Sequence, residues 1–251
     1  MSNEGTVLGV AHEQPAGDLA NEAELTHLGE LRVVLMGPPG GGKGTQGERL
    51  AAIYAVPHLS AGEILRSEVS RRTPLGRRVV GALESGELVD DPVVIPLILD
   101  KVGDGSRGFV LDGFPRTRAQ AVAVDAWATS VGRPLHGAVE LRVPDGELVT
   151  RLATRAAQSS RSDDTQGVIR HRLDAYGEGI QEVLAYYSQT GILITVDGTG
   201  DVDTVTSRLR ARIDQALADS EPPDALVNRL DEPVTKRYPT SRRSPLHRTG
   251  D

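Results

Sequence analysis

The sequence predicts an α/β fold in which a central five-stranded parallel sheet carries helices on both faces. Three observations predict it. From residue 31 onward, short apolar runs alternate with amphipathic stretches of helical period, the pattern of strands joined through crossover helices. The runs are nearly continuous in Val, Ile and Leu, as strands covered on both faces must be. Each run ends in a turn rich in Gly, Pro or Asp.

In chain order, residues 31–36 read as the first strand and 44–54 as the helix after it. A shorter strand is placed at 56–59. Helices at 61–70, 75–84 and 92–102 come next, followed by a strand at 108–111 and a helix at 118–130. A strand at 137–143 leads to a helix at 145–155. The strongest helical signal runs from 163 to 189, where Ile169, Leu173, Tyr176, Ile180, Leu184 and Tyr187 recur every three or four residues and line one face. A strand at 192–196 and a helix at 203–218 complete one domain spanning 31–219. Residues 1–30 and 220–251 are rich in Pro, Ser, Glu and Arg without an apolar period, so burial there cannot offset the entropy of ordering. Both are expected to be disordered tails, with the basic stretch 236–243 of the second read as solvated chain.

Composition narrows the function classes. Of 251 residues 38% are hydrophobic but only 3% aromatic, so aliphatic side chains must fill the core and no aromatic stacking platform is expected. The chain has no cysteine, which excludes disulfides, thiolate catalysis and cysteine-ligated metals and fits a reducing compartment. The first residues lack the basic start and apolar stretch of a signal peptide, so a cytoplasmic location is expected. The apolar run 93–99 is far shorter than the roughly 20 residues that span a bilayer, and no membrane partner is expected. A net charge of −7 argues against a nucleic-acid partner, and a monomer is expected.

Two segments carry chemistry. Gly37-Pro38-Pro39-Gly40-Gly41-Gly42-Lys43-Gly44-Thr45 sits between a strand and a helix, where a phosphate-cradling loop belongs. Glycines let backbone N–H groups turn inward around phosphate oxygens, the helix offers its positive end to the same anion, and Lys43 would sit against the β- and γ-phosphates. Gly44 stands where Ser or Thr usually follows the lysine, and the hydroxyl arrives one residue later at Thr45. The second segment is Leu111-Asp112-Gly113-Phe114-Pro115-Arg116-Thr117-Arg118-Ala119-Gln120. An Asp at the carboxyl end of a parallel strand can hold metal-bound water, Gly113 and Pro115 shape a tight turn, and Arg116 can grip a phosphate in two places.

The loop GPPGGGKGTQ and the segment reading DGFPRTxxQ together resemble the adenylate kinase family, nucleoside-monophosphate kinases with a P-loop NTPase fold. The resemblance covers about residues 31–219. It implies a small helical monophosphate-binding insertion at 60–89 and a short lid at 155–163 with no room for a zinc-binding insert. It implies ATP on Gly40, Gly41, Gly42, Lys43, Gly44, Thr45, Arg155 and Gly200. For AMP it implies Ala61, Arg66, Glu87, Leu88, Val89, Gly113, Phe114, Pro115, Arg116, Gln120, Arg161 and Arg172, with Gln120 reading the adenine edge. Transfer would rest on Lys43, Arg116, Arg155, Arg161 and Arg172, with Mg²⁺ held through waters near Thr45, Asp112 and Glu63.

The chain departs from the family pattern at Ser60-Ala61-Gly62-Glu63, where the family usually has Ser-Thr-Gly-Asp. That variant resembles the UMP/CMP kinases, whereas Thr117 and Gln120 resemble the AMP-specific members, so base preference stays open here. A regulatory protein that binds nucleotide with weak catalysis is the alternative from another class. A second departure is Tyr176-Gly177-Glu178-Gly179, which replaces the usual Tyr-x-x-x-Thr-x-Pro and bears on helix packing rather than on phosphate contacts.

Overall fold

The computed structural model describes residues 28–103, 107–158 and 166–220. The tails expected at 1–30 and 220–251 lie outside these residues except at their inner ends. There the fold takes in slightly more than the sequence suggested, because Gly29 N–H donates to Tyr54 O at 2.8 Å and Glu30 pairs with Arg107 at 3.4 Å.

The strands are β1 (Arg32–Met36), β2 (His58–Ser60), β3 (Phe109–Asp112), β4 (Gly137–Arg142) and β5 (Leu193–Asp197). They form one parallel sheet in the order β2-β3-β1-β4-β5. Eight helices are described: α1 (Lys43–Ile53), α2 (Ala61–Ser70), α3 (Pro74–Ser85), α4 (Asp91–Gly103), α5 (Arg118–Ser130), α6 (Asp145–Gln158), α7 (Gln166–Gln189) and α8 (Val202–Ser220). The second strand begins later than expected. Val56 N–H closes the turn after α1 on Ala51 O at 3.0 Å, so pairing with β3 starts only at His58.

Successive residues of a strand point to opposite faces, and the two cores follow from that. Val34 and Met36 of β1, with Phe109 and Leu111 of β3, pack against α2, α4, α5 and α7. Val33 and Leu35, with Val110, Val139 and Leu141, face α1 and α8 on the other side. Every residue of β3 is buried, which explains its unbroken apolar reading.

Because β1 lies beside β3, with Leu35 opposite Asp112, the loops leaving the carboxyl ends of these two strands emerge side by side. Each of the two chemistry-bearing segments follows one of those strands. A crevice outside the carboxyl ends of a parallel sheet is where such folds bind ligands.

Candidate functional site

The crevice is a cleft of about 630 Å³, within the range of small-molecule sites. Its lining includes Gly40 to Thr45, Ala61, Glu63, Arg66, Glu87 to Val89, Asp112 to Arg116, Gln120 and Gly200. One cavity thus gathers every candidate residue outside the lid and α7. Arg161 lies outside the described residues, as does most of the expected lid. Arg155 and Arg172 fall on α6 and α7, but the described structure does not extend to their side chains.

The phosphate loop owes its shape to two glycines. Gly40 has φ +81° and a Cβ there would lie 2.7 Å from Leu152 Cγ, while Gly42 has φ +88° at the N-terminus of α1. No side chain caps α1, which leaves its first N–H groups for an anion. Lys43 Nζ donates to Gly37 O at 2.8 Å and to Pro38 O at 3.0 Å, so the ammonium is folded back along the loop.

Across the cleft, Arg116 Nε donates to Gly113 O at 2.8 Å, holding the guanidinium over its own turn. The Phe114–Pro115 peptide is cis, and the Phe114 side chain is buried in the core. Gln120 is buried at 2% exposure, and its amide bonds to Asp91 and to the Arg116 backbone. Arg66 and the exposed Glu87 and Leu88 lie on the wall formed by α2 and the loop after α3.

Asp112 approaches the start of α1, where a Cβ on Gly44 would lie 3.9 Å from its Oδ2. Its Oδ1 is buried without a hydrogen-bond partner. His58 Nε2 lies 3.7 Å from Oδ2, too far for a hydrogen bond, yet the carboxylate raises the imidazole pKa above its ordinary value while burial opposes it. The exposed Thr45 and Glu63 line the same cleft. Among the described residues no group of three or more His, Cys, Asp or Glu could cage a metal ion. The arrangement fits Mg²⁺, which keeps several waters and binds through one or two carboxylates plus substrate phosphates.

Sequence reasoning passed over several residues that the fold brings here. Arg151 lines the cleft, donating to Gly198 O at 2.9 Å and pairing with Glu147 at 2.5 Å. Its signal was available, because it precedes Arg155 by four residues and so shares a helix face with it. Tyr176 also lines the cleft, from the stretch noted only as a departure. That departure has a structural effect: a Cβ on Gly179 would lie 3.0 Å from Arg116 O, so glycine lets α7 approach the Arg116 turn. His171 is exposed.

Comparison with known proteins agrees with this geometry. A family model described as adenylate kinase matches residues 35–192. An adenylate kinase of Xylella fastidiosa is 42% identical over 181 residues, 71% of this chain and 97% of the relative. One of Micrococcus luteus is 46% identical over 180 residues, 71% of this chain and 88% of the relative. One of Methylobacterium radiotolerans is 44% identical over 189 residues, covering 72% and 94%. With the phosphate loop and the Asp112–Gln120 segment opening on one cleft of a five-stranded parallel sheet, the chain belongs to the adenylate kinase family.

Proposed function

We propose that the cleft seats ATP on the phosphate loop and AMP on the wall of α2, the loop after α3 and the Arg116 turn, and that the terminal phosphoryl group passes reversibly between them. ATP and AMP give two ADP. The adjacency of β1 and β3 carries this reading, because it sets the Lys43 loop and the Arg116 turn at the mouth of one cleft.

The reaction needs no general base. An oxygen of the AMP phosphate attacks the γ-phosphorus in line, and the bond from that phosphorus to the β-bridging oxygen breaks. The negative charge is carried over unchanged from ATP and AMP to two ADP. Catalysis then rests on alignment and on cations that meet charge spreading over the moving group. Lys43 holds the β- and γ-phosphates, and Arg116 and Arg66 hold the accepting phosphate. Arg155, Arg161 and Arg172 complete the positive set by resemblance to the family. Mg²⁺, when bound, would neutralise ATP phosphate oxygens, with Asp112, Glu63 and Thr45 fixing its waters. Gln120 reads the AMP base, and the backbone near Gly200 meets the adenine of ATP. Movement of residues 60–89 and of the short lid over the nucleotides would exclude water.

Ala61, buried at 4% exposure, presents only a methyl group where the family usually has a hydroxyl, and this favours the pyrimidine monophosphates as a second reading. A coupled assay of ADP release with AMP, CMP and UMP separates the two. We expect AMP to give a kcat/KM at least about tenfold above either pyrimidine. Equal or greater turnover of CMP or UMP overturns the AMP assignment, and ATP binding without turnover of any acceptor overturns the kinase reading.

A further inference from the structure

Asp91 is not among the residues that line the main cleft, yet its carboxylate helps to fix which way an amide there points. Asp91 Oδ1 accepts from Gln120 Nε2 at 2.7 Å, and Gln120 Oε1 accepts from the Arg116 backbone N–H at 2.7 Å. A carboxylate only accepts and a backbone N–H only donates, so a single orientation of the Gln120 amide satisfies both. Turned over, the amide would set oxygen against oxygen and N–H against N–H in a position that is 2% exposed. Asp91 is itself held. Its Oδ2 accepts from Thr117 Oγ1 at 3.0 Å, and Thr117 Oγ1 accepts in turn from the Gln120 backbone N–H at 3.2 Å, capping α5.

A primary amide has two N–H bonds and two oxygen lone pairs, so after these contacts Gln120 keeps one of each for the cleft it lines. An adenine edge offers an amino donor at C6 and an acceptor at N1, which match that fixed lone pair and N–H. Hypoxanthine has the same outline with the pattern inverted, a carbonyl acceptor at C6 and a donor at N1. A freely turning glutamine would serve both bases, and a locked one serves only the first.

We infer that Asp91 is a specificity-determining positioning residue, locking the Gln120 amide so that the acceptor site takes a 6-amino purine monophosphate and rejects a 6-oxo one. The inference rests on the reading of this cleft as the AMP site. The test is kcat/KM for AMP and for IMP, with ATP as donor, in the full chain and its variants. Asp91→Asn keeps the shape but can present oxygen or N–H to Gln120, so the AMP:IMP ratio is expected to fall about tenfold with KM for ATP within about twofold. Asp91→Ala, which removes the acceptor, gives a fall in the same direction. Thr117→Val removes the cap and one hold on Asp91 but leaves the Asp91–Gln120 pair, so its ratio falls less than in Asp91→Asn even where its melting temperature drops more. An unchanged ratio in Asp91→Asn and Asp91→Ala overturns the lock, as does an equal fall in Thr117→Val. A parent chain that makes no ADP from ATP and AMP overturns the reading of the cleft, and the lock falls with it.

Discussion

The side-chain amide of Gln46 donates a hydrogen bond to the backbone carbonyl of Val202 at 3.0 Å, joining residues 156 positions apart. Thr206 Oγ1 donates to Gln46 Oε1 at 2.8 Å, so the same buried amide is held from both ends. This pair ties the helix that follows the phosphate loop to the turn that carries Gly200 and Val202, both of which line the cleft. The phosphate loop and the Gly200 turn, proposed here as the two halves of the ATP site, are thereby tied together.

Replacing Gln46 by Leu removes both of its bonds, while the Thr206 hydroxyl still donates to the Val202 carbonyl at 2.8 Å. The expected cost is about 1 kcal/mol of stability. Because the loosened turn is on the side proposed for ATP, KM for ATP should rise several-fold while KM for AMP stays constant. Thermal unfolding and steady-state kinetics with each substrate varied in turn read both effects, and a parallel rise in the two KM values would refute the assignment of sides.

Two glycines of α3 should respond in opposite directions to alanine. A Cβ on Gly76 would lie 2.0 Å from the Glu68 backbone oxygen, where nothing flexible can yield, so Gly76→Ala is expected to cost about 3 kcal/mol or more. Gly81 is exposed on the same helix with nothing within 4 Å of its added Cβ, so Gly81→Ala should stabilise by about 0.5–1 kcal/mol. Denaturant melts of the pair check the packing of α2 against α3.

Stability should fall on the alkaline side. Burial, with Asp214 beside it, pushes the Tyr54 phenol well above its ordinary value; burial does the same for Tyr187, and Tyr186 is pushed up to about 12. An unfolded phenol ionises near pH 10, so above that pH the unfolded chain has released protons that the native chain keeps, and stability declines as pH rises. Below it these groups contribute no slope. Melting temperature measured from pH 8 to 11.5 should be flat and then drop, and Tyr54→Phe should shallow the drop. An identical alkaline slope in that variant would contradict the burial of the hydroxyl.

Lys43 donates to two carbonyls of its own loop in this structure, at 2.8 and 3.0 Å, and the proposed function has it meet the ATP phosphates. Lys43→Met should lower kcat by a factor of about 10² or more. The melting temperature should move by only a few degrees, because the side chain is only half buried. A variant that keeps most of its kcat would remove this lysine from the transfer step.

What the sequence made legible was contiguous. The phosphate loop and the Asp112 to Gln120 segment each occupy one short stretch whose residue types state their purpose. α2 and α5 begin at Ala61 and Arg118, where the helical pattern placed them, and only α5 has a side-chain cap, from Thr117. Residues whose role depends on a distant partner stayed hidden. Asp91 looks like the acidic first turn of a helix until it meets Gln120, 29 positions on, and Gln46 looks like part of a motif until α8 packs against it. Arg151 lines the cleft from the same helix, four residues before Arg155, and nothing in its spacing alone singles it out. The start of β2 was misplaced for a local reason, the turn bond of Val56.

The central claim is that two nucleotides meet end to end between the phosphate loop and the Arg116 turn. A crystal structure of the full chain with Mg²⁺, a non-hydrolysable ATP analogue and AMP tests it most directly. The expected result has the γ-phosphate on Lys43 and the loop N–H groups, and the AMP phosphate on Arg116 with its oxygen about 3–3.5 Å from the γ-phosphorus. An AMP seated elsewhere, or with its phosphate turned away from Lys43, would contradict the account.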